Sequence, residues 1–336
     1  MKNRDFAGRS VGAIGLGCMG MSWAYGESDD AASIALIREA LDLGVTFLDT
    51  AQPYGDGHNE ALLGRALAGR RDEAVLATKT GLVVEDKKTF TMVRRGTPEH
   101  VKSSAEDSLR RLGTDVIDLY YLHRVDPDVP LADTWGAMAE LVAEGKARAI
   151  GLSEVGVAQA AEAHAIHPVA AIQSELSLWT RDAMGAPSTE TSGSVGMLSV
   201  VGGAGDAGDV VGWCAANGAA FVPFSPLGRG FLTGTVSASD FEDEDFRKIN
   251  PRFQEEAVKA NQRIVDVVKA VAERHGATPA QVAIAWTLAQ GDHVIPIPGT
   301  KKSRYLRDNA GAADLELTER DLAELDAVPP AVGGRY

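Results

Sequence analysis

Three short apolar runs end on side chains that can move protons. Thr46-Phe47-Leu48-Asp49 closes on an acid, Val75-Leu76-Ala77-Thr78-Lys79 on a base, and Leu119-Tyr120-Tyr121-Leu122-His123 on an imidazole. A fourth group, Tyr54, follows Asp49 in a loop that Pro53 and Gly55 hold away from helix. A phenol is a weak acid of pKa about 10, and an adjacent ammonium favours its phenolate. Lys79, kept charged by pairing with Asp49, is therefore expected to lower the Tyr54 pKa. Such a phenol would protonate a substrate oxygen near neutral pH while His123 hydrogen-bonds the same oxygen. That constellation suits carbonyl reduction. Barrel aldolases also place a lysine on a strand end, so a Schiff-base lyase with Lys79 as nucleophile is the rival enzyme class.

These groups act together only if the fold gathers strand ends in one place. The spacing predicts eight strands, at Val11–Gly17, Thr46–Thr50, Ala74–Lys79, Ile117–Leu122, Ala147–Ser153, Ala171–Leu176, Phe221–Pro226 and His293–Gly299. Helical stretches are predicted between and after them at Asp30–Leu43, Asn59–Leu67, Pro98–Leu112, Leu131–Glu144, Val157–Ala165, Asp209–Asn217, Gln254–Gly276 with Pro279–Ala289, and Ser303–Ala312. Gly44, Gly69, Gly113, Gly145 and Gly218 fall where helices stop. This alternation predicts an α/β fold, a single-domain (β/α)8 TIM barrel over residues 1–336, with its active site where the strands end.

Composition narrows the function classes. With 336 residues, 45% of them hydrophobic, the chain can bury a large core, which argues against disorder. A formal charge of −14 repels phosphate backbones, so neither nucleic acid nor an anionic membrane is an expected partner. The two cysteines, Cys18 and Cys214, cannot build a disulfide framework, and no apolar run approaches the roughly 18 residues of a spanning helix. A cytoplasmic protein, a monomer or a weak homo-oligomer, is expected. Two stretches break the alternation: Asp182–Asp209, rich in Gly, Ser and Ala, and Thr235–Arg252, which carries the acidic block Glu242–Asp245. Both read as long loops. The first leaves from the end of the sixth strand and is expected to shape or cover the substrate site, with a plain surface insertion as the alternative.

The segment Phe47-Leu48-Asp49-Thr50-Ala51-Gln52-Pro53-Tyr54-Gly55-Asp56-Gly57-His58-Asn59-Glu60, with Ala77-Thr78-Lys79 and Tyr121-Leu122-His123-Arg124, resembles the aldo-keto reductase superfamily and fills all positions of its catalytic tetrad. The likeness continues through Ile150–Glu154, Phe224–Gly234 and Ile297–Lys301. Within the superfamily the chain is most similar to the aldehyde reductases related to potassium-channel β-subunits. The resemblance implies a nicotinamide cofactor bound extended across the barrel mouth and a small-molecule carbonyl substrate. Ser153 and Gln173 match the residues that hold the carboxamide, with Glu154 at a position often filled by Asn. Phe224 matches the ring that stacks on the nicotinamide. The loop Ser225, Pro226, Leu227, Gly228, Arg229 and Gly230 resembles the pyrophosphate-binding segment, with backbone N–H groups and Arg229 meeting the diphosphate. After Gly299 and Thr300 come Lys301, Lys302, Arg304 and Arg307, then Asp308 and Asn309, in the stretch that in this family grips the 2′-phosphate and adenine. The cations there favour NADPH.

Other features are decoys or rivals. Gly15-Leu16-Gly17-Cys18-Met19-Gly20 fits a dinucleotide fingerprint, but Met21–Asp29 reads as loop, not as the helix a Rossmann turn requires. In the barrel reading this end, with Gly17 and Met19, lets the backbone approach the nicotinamide, while Trp23 and Tyr25 are candidate pocket walls. His164 and His167 share a helix face without further ligands, so no metal is expected. A non-catalytic NADP(H)-sensing subunit is the non-enzymatic rival.

Overall fold

The computed structural model describes residues 1–86, 91–186, 208–236, 241 and 245–335. Its central sheet has seven parallel strands: β3 (Leu16–Gly17), β4 (Phe47–Asp49), β5 (Val75–Thr80), β8 (Ile117–Leu122), β9 (Ala147–Ser153), β10 (Ala171–Glu175) and β11 (Ala220–Phe224). They neighbour one another in that order, as successive βαβ units do. The chain at 294–299 closes the ring, Val294 bridging Phe221 and Gly299 bridging Gly17 in parallel sense. The fold is a (β/α)8 barrel. A full eighth strand over 293–299 is expected from the sequence, but Pro296 and Pro298 have no N–H to give. Ile295 and Ile297 still donate to Phe221 O (2.8 Å) and Pro223 O (3.0 Å) and hold the closure.

The predicted first strand is divided. Its start belongs to an antiparallel hairpin of β1 (Asn3–Phe6) and β2 (Arg9–Gly12), and only Leu16–Gly17 joins the barrel. Gly15 permits the turn inward, since a Cβ there would lie 2.7 Å from Phe47 O. The hairpin plugs the barrel floor: Phe6 packs among the strand-initial residues Phe47, Val75, Ala171 and Ala220 and meets the Phe47 ring edge-on at 5.5 Å. The hairpin thereby closes the strand-initial end of the barrel interior.

The nine helices predicted from periodicity all form, each within one residue of its expected bounds. Their starts have local causes. Asp29 accepts the Ala32 N–H at 2.7 Å, and Thr97-Pro98 and Thr278-Pro279 each combine a capping hydroxyl with a proline at the first helical position. A second hairpin, β6 (Leu82–Asp86) with β7 (Thr91–Arg94), follows directly on β5 and is not foreseen, because its strands are mostly half-buried or exposed and show no apolar face. The helix Glu319–Asp326 is likewise unforeseen.

Most of the predicted 182–209 loop and residues 242–244 of the acidic block lie outside the described residues. The two ends of the first loop meet in an antiparallel bridge between Met184 and Asp209. Asp245 pairs with Arg247 at 2.6 Å. Among the described residues no helix is long and apolar enough to cross a membrane.

Candidate active site

Strand register assembles the site. Asp49, the last residue of β4, lies beside Gly17 and Ala77, Lys79 lies beside Tyr121, and Ser153 lies beside Gln173. Lys79 is fully buried, and its Nζ donates to Asp49 Oδ1 (2.5 Å) and to Thr50 O (2.7 Å). Gln173 Nε2 donates to the other carboxylate oxygen, Asp49 Oδ2, at 2.7 Å. The Tyr54 ring sits 5.1 Å from Lys79 Nζ, edge-on to His123 at 6.0 Å and stacked with Trp23 at 6.3 Å. The loop carrying Tyr54 is pinned from below by Asn59, which accepts from Thr50 Oγ1 (2.6 Å) and donates to Cys18 O (2.9 Å). Glu60, also buried, ties Thr78 to Arg111.

Burial governs the electrostatics here. It disfavours the Lys79 charge, but Asp49 and the Tyr54 oxygen more than offset that and hold the ammonium above its ordinary value. Burial likewise raises the Tyr54 phenol, and the nearby ammonium opposes the rise without cancelling it. The expected lowering of the Tyr54 pKa is therefore reversed in sign, because desolvation of a phenolate outweighs one neighbouring cation. His123 is driven well below the usual histidine range by burial and by Arg124 and Lys79. Its ring is neutral, and Nδ1 is buried with no partner among the described atoms. A protonated phenol, a fixed ammonium and a neutral imidazole thus converge on one spot.

The residues expected to hold a cofactor flank that spot. Ser153 accepts from Arg124 Nη1 at 3.2 Å, and Phe224 ends β11 half-buried. In the loop that follows, Ser225, Gly228, Arg229 and Gly230 all have positive φ (+50°, +56°, +56° and +98°), and the Gly228 and Gly230 N–H groups, expected to meet a diphosphate, instead close the turn on Ser225 O (2.9 Å) and Leu227 O (3.0 Å). Gly228 is also needed sterically, since a Cβ would strike the Trp179 ring at 2.8 Å. Pro226 is buried and Leu227 half-buried. Arg229 points inward: Nη2 pairs with Glu175 at 2.9 Å and Nη1 donates to Arg335 O at 3.1 Å. Glu154 adopts φ +55°, accepts the Glu175 N–H at 2.9 Å and is ion-paired with Arg335. In this structure both side chains are committed to neighbours that no local pattern announces.

The basic stretch is similarly divided. Thr300 accepts the Lys302 N–H at 3.2 Å. Lys301 Nζ donates to the carbonyls of Tyr25 (2.6 Å) and Glu27 (2.8 Å), and Arg307 pairs with Glu39 (2.6 Å). Arg304 lies over Tyr305 at 4.4 Å, exposed like Lys302. Asp308 accepts from Thr278 Oγ1 (2.9 Å), and Asn309 is buried. Gly17 and Gly299 meet across the closing bridge, with Met19 half-buried in a 3-10 turn where a Rossmann helix would begin. Of the two predicted pocket walls, Trp23 stacks with Tyr54, whereas Tyr25 lies under Arg247 at 5.3 Å. His164 accepts the Val169 N–H and packs on Trp213. Cys18 and Cys214 are buried, the latter thiol pushed up to about 12 by burial.

The profile of the Aldo/keto reductase family matches residues 13–189 and 205–329. A relative from Glycine max, "Probable aldo-keto reductase 1", is 41% identical over 334 residues, covering 98% of this chain and 89% of the relative. The glycerol dehydrogenase structure from Gluconobacter oxydans aligns at TM-score 0.83 and 29% identity, covering 96% of this chain and 94% of that one. An aldo-keto reductase from Klebsiella pneumoniae in complex with NADPH aligns at TM-score 0.71 and 27% identity, covering 98% and 96%.

Proposed function

This chain belongs to the aldo/keto reductase family, an oxidoreductase family, and from that premise we propose that it reduces aldehydes or ketones to alcohols with NADPH, Tyr54 donating the proton. One observation carries the reading: Lys79 Nζ is held 2.5 Å from Asp49 beneath the Tyr54 ring, with neutral His123 at that ring's edge. NADPH, when bound, supplies the hydride that the carbonyl carbon receives. The protein's part is the proton. Tyr54 gives its phenolic hydrogen to the carbonyl oxygen, and the Lys79 ammonium stabilises the phenolate left behind. Asp49, held by Lys79 and Gln173, fixes that ammonium in place. His123, neutral, orients the carbonyl by a hydrogen bond.

The surrounding residues fit the cofactor. The turn at 225–230, closed by its own Gly228 and Gly230 N–H groups, is the segment we assign to a diphosphate, Ser153 and Gln173 stand side by side for a carboxamide, and Phe224 supplies a stacking face. Lys302 and Arg304 are exposed cations suited to a 2′-phosphate, whereas Arg307, also exposed, is paired with Glu39. The NADPH complex of the Klebsiella relative supports the choice. We read the chain as one catalytic domain in which the 182–209 insertion shapes the substrate side, and the two buried thiols fit a reducing compartment such as the cytoplasm.

The lyase reading loses support from Lys79 itself: an attacking amine must be neutral, and this one is buried, paired and held charged. An NADPH-consumption screen over aryl, aliphatic and sugar-derived aldehydes, pyridoxal and bulky ketones is expected to find turnover that Tyr54→Phe lowers by roughly 10²–10⁴-fold. NADPH fluorescence quenching should be unchanged in that variant. Wild-type turnover in Tyr54→Phe would remove the mechanism. NADPH binding without turnover on any carbonyl would instead favour a sensing subunit, and a borohydride-trapped adduct would favour the lyase.

A further inference from the structure

Four residues far apart in sequence close a ring of bonds behind the site. Glu154 Oε1 accepts the Glu175 N–H (2.9 Å), Glu175 Oε2 accepts from Arg229 (2.9 Å), Arg229 donates to Arg335 O (3.1 Å), and the Arg335 guanidinium pairs with Glu154 Oε2. The side chains of Glu154, Glu175, Arg229 and Arg335 are each no more than 6% exposed. Two flanking groups hold the ring. Asn250 donates to Arg335 O at 2.9 Å, and Val332 exchanges two hydrogen bonds with buried Asn261 (2.8 and 3.0 Å). Glu175 stays below the usual carboxylate range despite burial, owing to Arg229, Arg335 and Arg252.

The ring joins elements that a cofactor must touch together. Glu154 follows Ser153 directly, Glu175 lies on the strand of Gln173, and Arg229 belongs to the left-handed turn after Phe224. We propose that Arg335 is a positioning residue for the cofactor: through Glu154 and Arg229 it fixes the 225–230 turn relative to the ends of β9 and β10. The inference rests on the NADPH reading above. A dinucleotide spanning turn and strand ends binds tightly only if their separation is set beforehand, because any freedom left there must be removed on binding. Arg335 makes no step of the reaction. Its loss leaves Glu154 buried without its cation and lets the segment that presents the Arg335 carbonyl to Arg229 drift.

The test measures NADPH affinity by fluorescence quenching, steady-state kinetics and thermal melting on wild type, Arg335→Ala, Arg335→Lys and Glu154→Gln. Arg335→Ala is expected to raise Kd and KM for NADPH about tenfold, with kcat at saturating NADPH changed by less than about twofold. Arg335→Lys, which restores charge but not the planar fork, should fall between, and Glu154→Gln should move affinity in the same direction as Arg335→Ala. Wild-type NADPH affinity in Arg335→Ala, even with a lower melting temperature, overturns the proposal. Where that variant does not fold, unchanged affinity in both Arg335→Lys and Glu154→Gln overturns it equally. A wild-type protein that does not quench NADPH fluorescence defeats the cofactor reading itself, and this inference with it.

Discussion

Tyr54 is subject to two opposing influences, burial that favours its neutral form and an ammonium that favours the phenolate, and burial prevails. For a proton donor that outcome is useful, since the acid form persists throughout the neutral range. The reduction rate, as kcat/KM against pH, should be level from about pH 6 to 9 and fall only above the ordinary tyrosine value of about 10, as the donor loses its proton. Lys79→Met should lower kcat by roughly 10²-fold or more and move the alkaline limb upward, because the cation opposing the raised pKa is gone. A downward move would contradict the assignment. At the rim, Lys302 and Arg304 make a separate test. The double change to alanine should weaken NADPH about tenfold while leaving NADH binding unchanged, measured by titration of each cofactor. Equal losses for the two cofactors would place the 2′-phosphate elsewhere. That Asp49, Tyr54, Lys79 and His123 would meet was legible in the residues, because each closes an apolar run or follows one at short range. The partners of Arg229 and Glu154 were not, because Arg335 lies 106 residues from one and 181 from the other.

Strands and loops decide how exactly those side chains are aimed, and here fit matters more than propensity. Gly151 in β9 faces Tyr121, and a Cβ there would lie 2.7 Å from both the Tyr121 ring and Ala171 O. Gly151→Ala should therefore cost about 1–3 kcal/mol by calorimetry and lower activity as well, since Tyr121 pairs in register with Lys79. A variant as stable and active as wild type would show that the barrel relaxes freely at this layer. The insertion offers the opposite case. Its described ends are already joined at Met184 and Asp209, and Asp209 caps the next helix by accepting the Gly212 N–H at 2.8 Å. Replacing residues 187–207 by a short glycine linker is thus expected to preserve the melting temperature while altering the order of kcat/KM across the carbonyl panel. An unaltered order would mark the insertion as a surface feature. Helices were readable in advance because their apolar period and caps are local. The hairpin of β6 and β7 was not, since neither strand buries a regular face.

Across the whole molecule, acid stability follows from groups the fold holds away from their ordinary protonation. His123 is kept neutral, so below about pH 6.5 the unfolded chain takes up a proton that the folded chain refuses, and stability falls as pH drops. Glu175 acts later in the same direction: its depressed pKa contributes stability above the usual carboxylate range that is lost as pH falls through it. Melting temperature should therefore decline between about pH 7 and 5, and His123→Gln should flatten that part of the curve. An unchanged slope would mean that other groups dominate it. The sequence by itself determined the alternation of barrel strands and helices, the barrel, and which four residues gather at its mouth, because these follow from short-range periodicity and from the rule that strands of such a barrel end at one face. Only the tertiary structure decided how those residues are charged and held. Desolvation depends on what surrounds a group from every side, and the ring that ties Arg335 to Glu154, Glu175 and Arg229 exists only where distant parts of the chain are packed together.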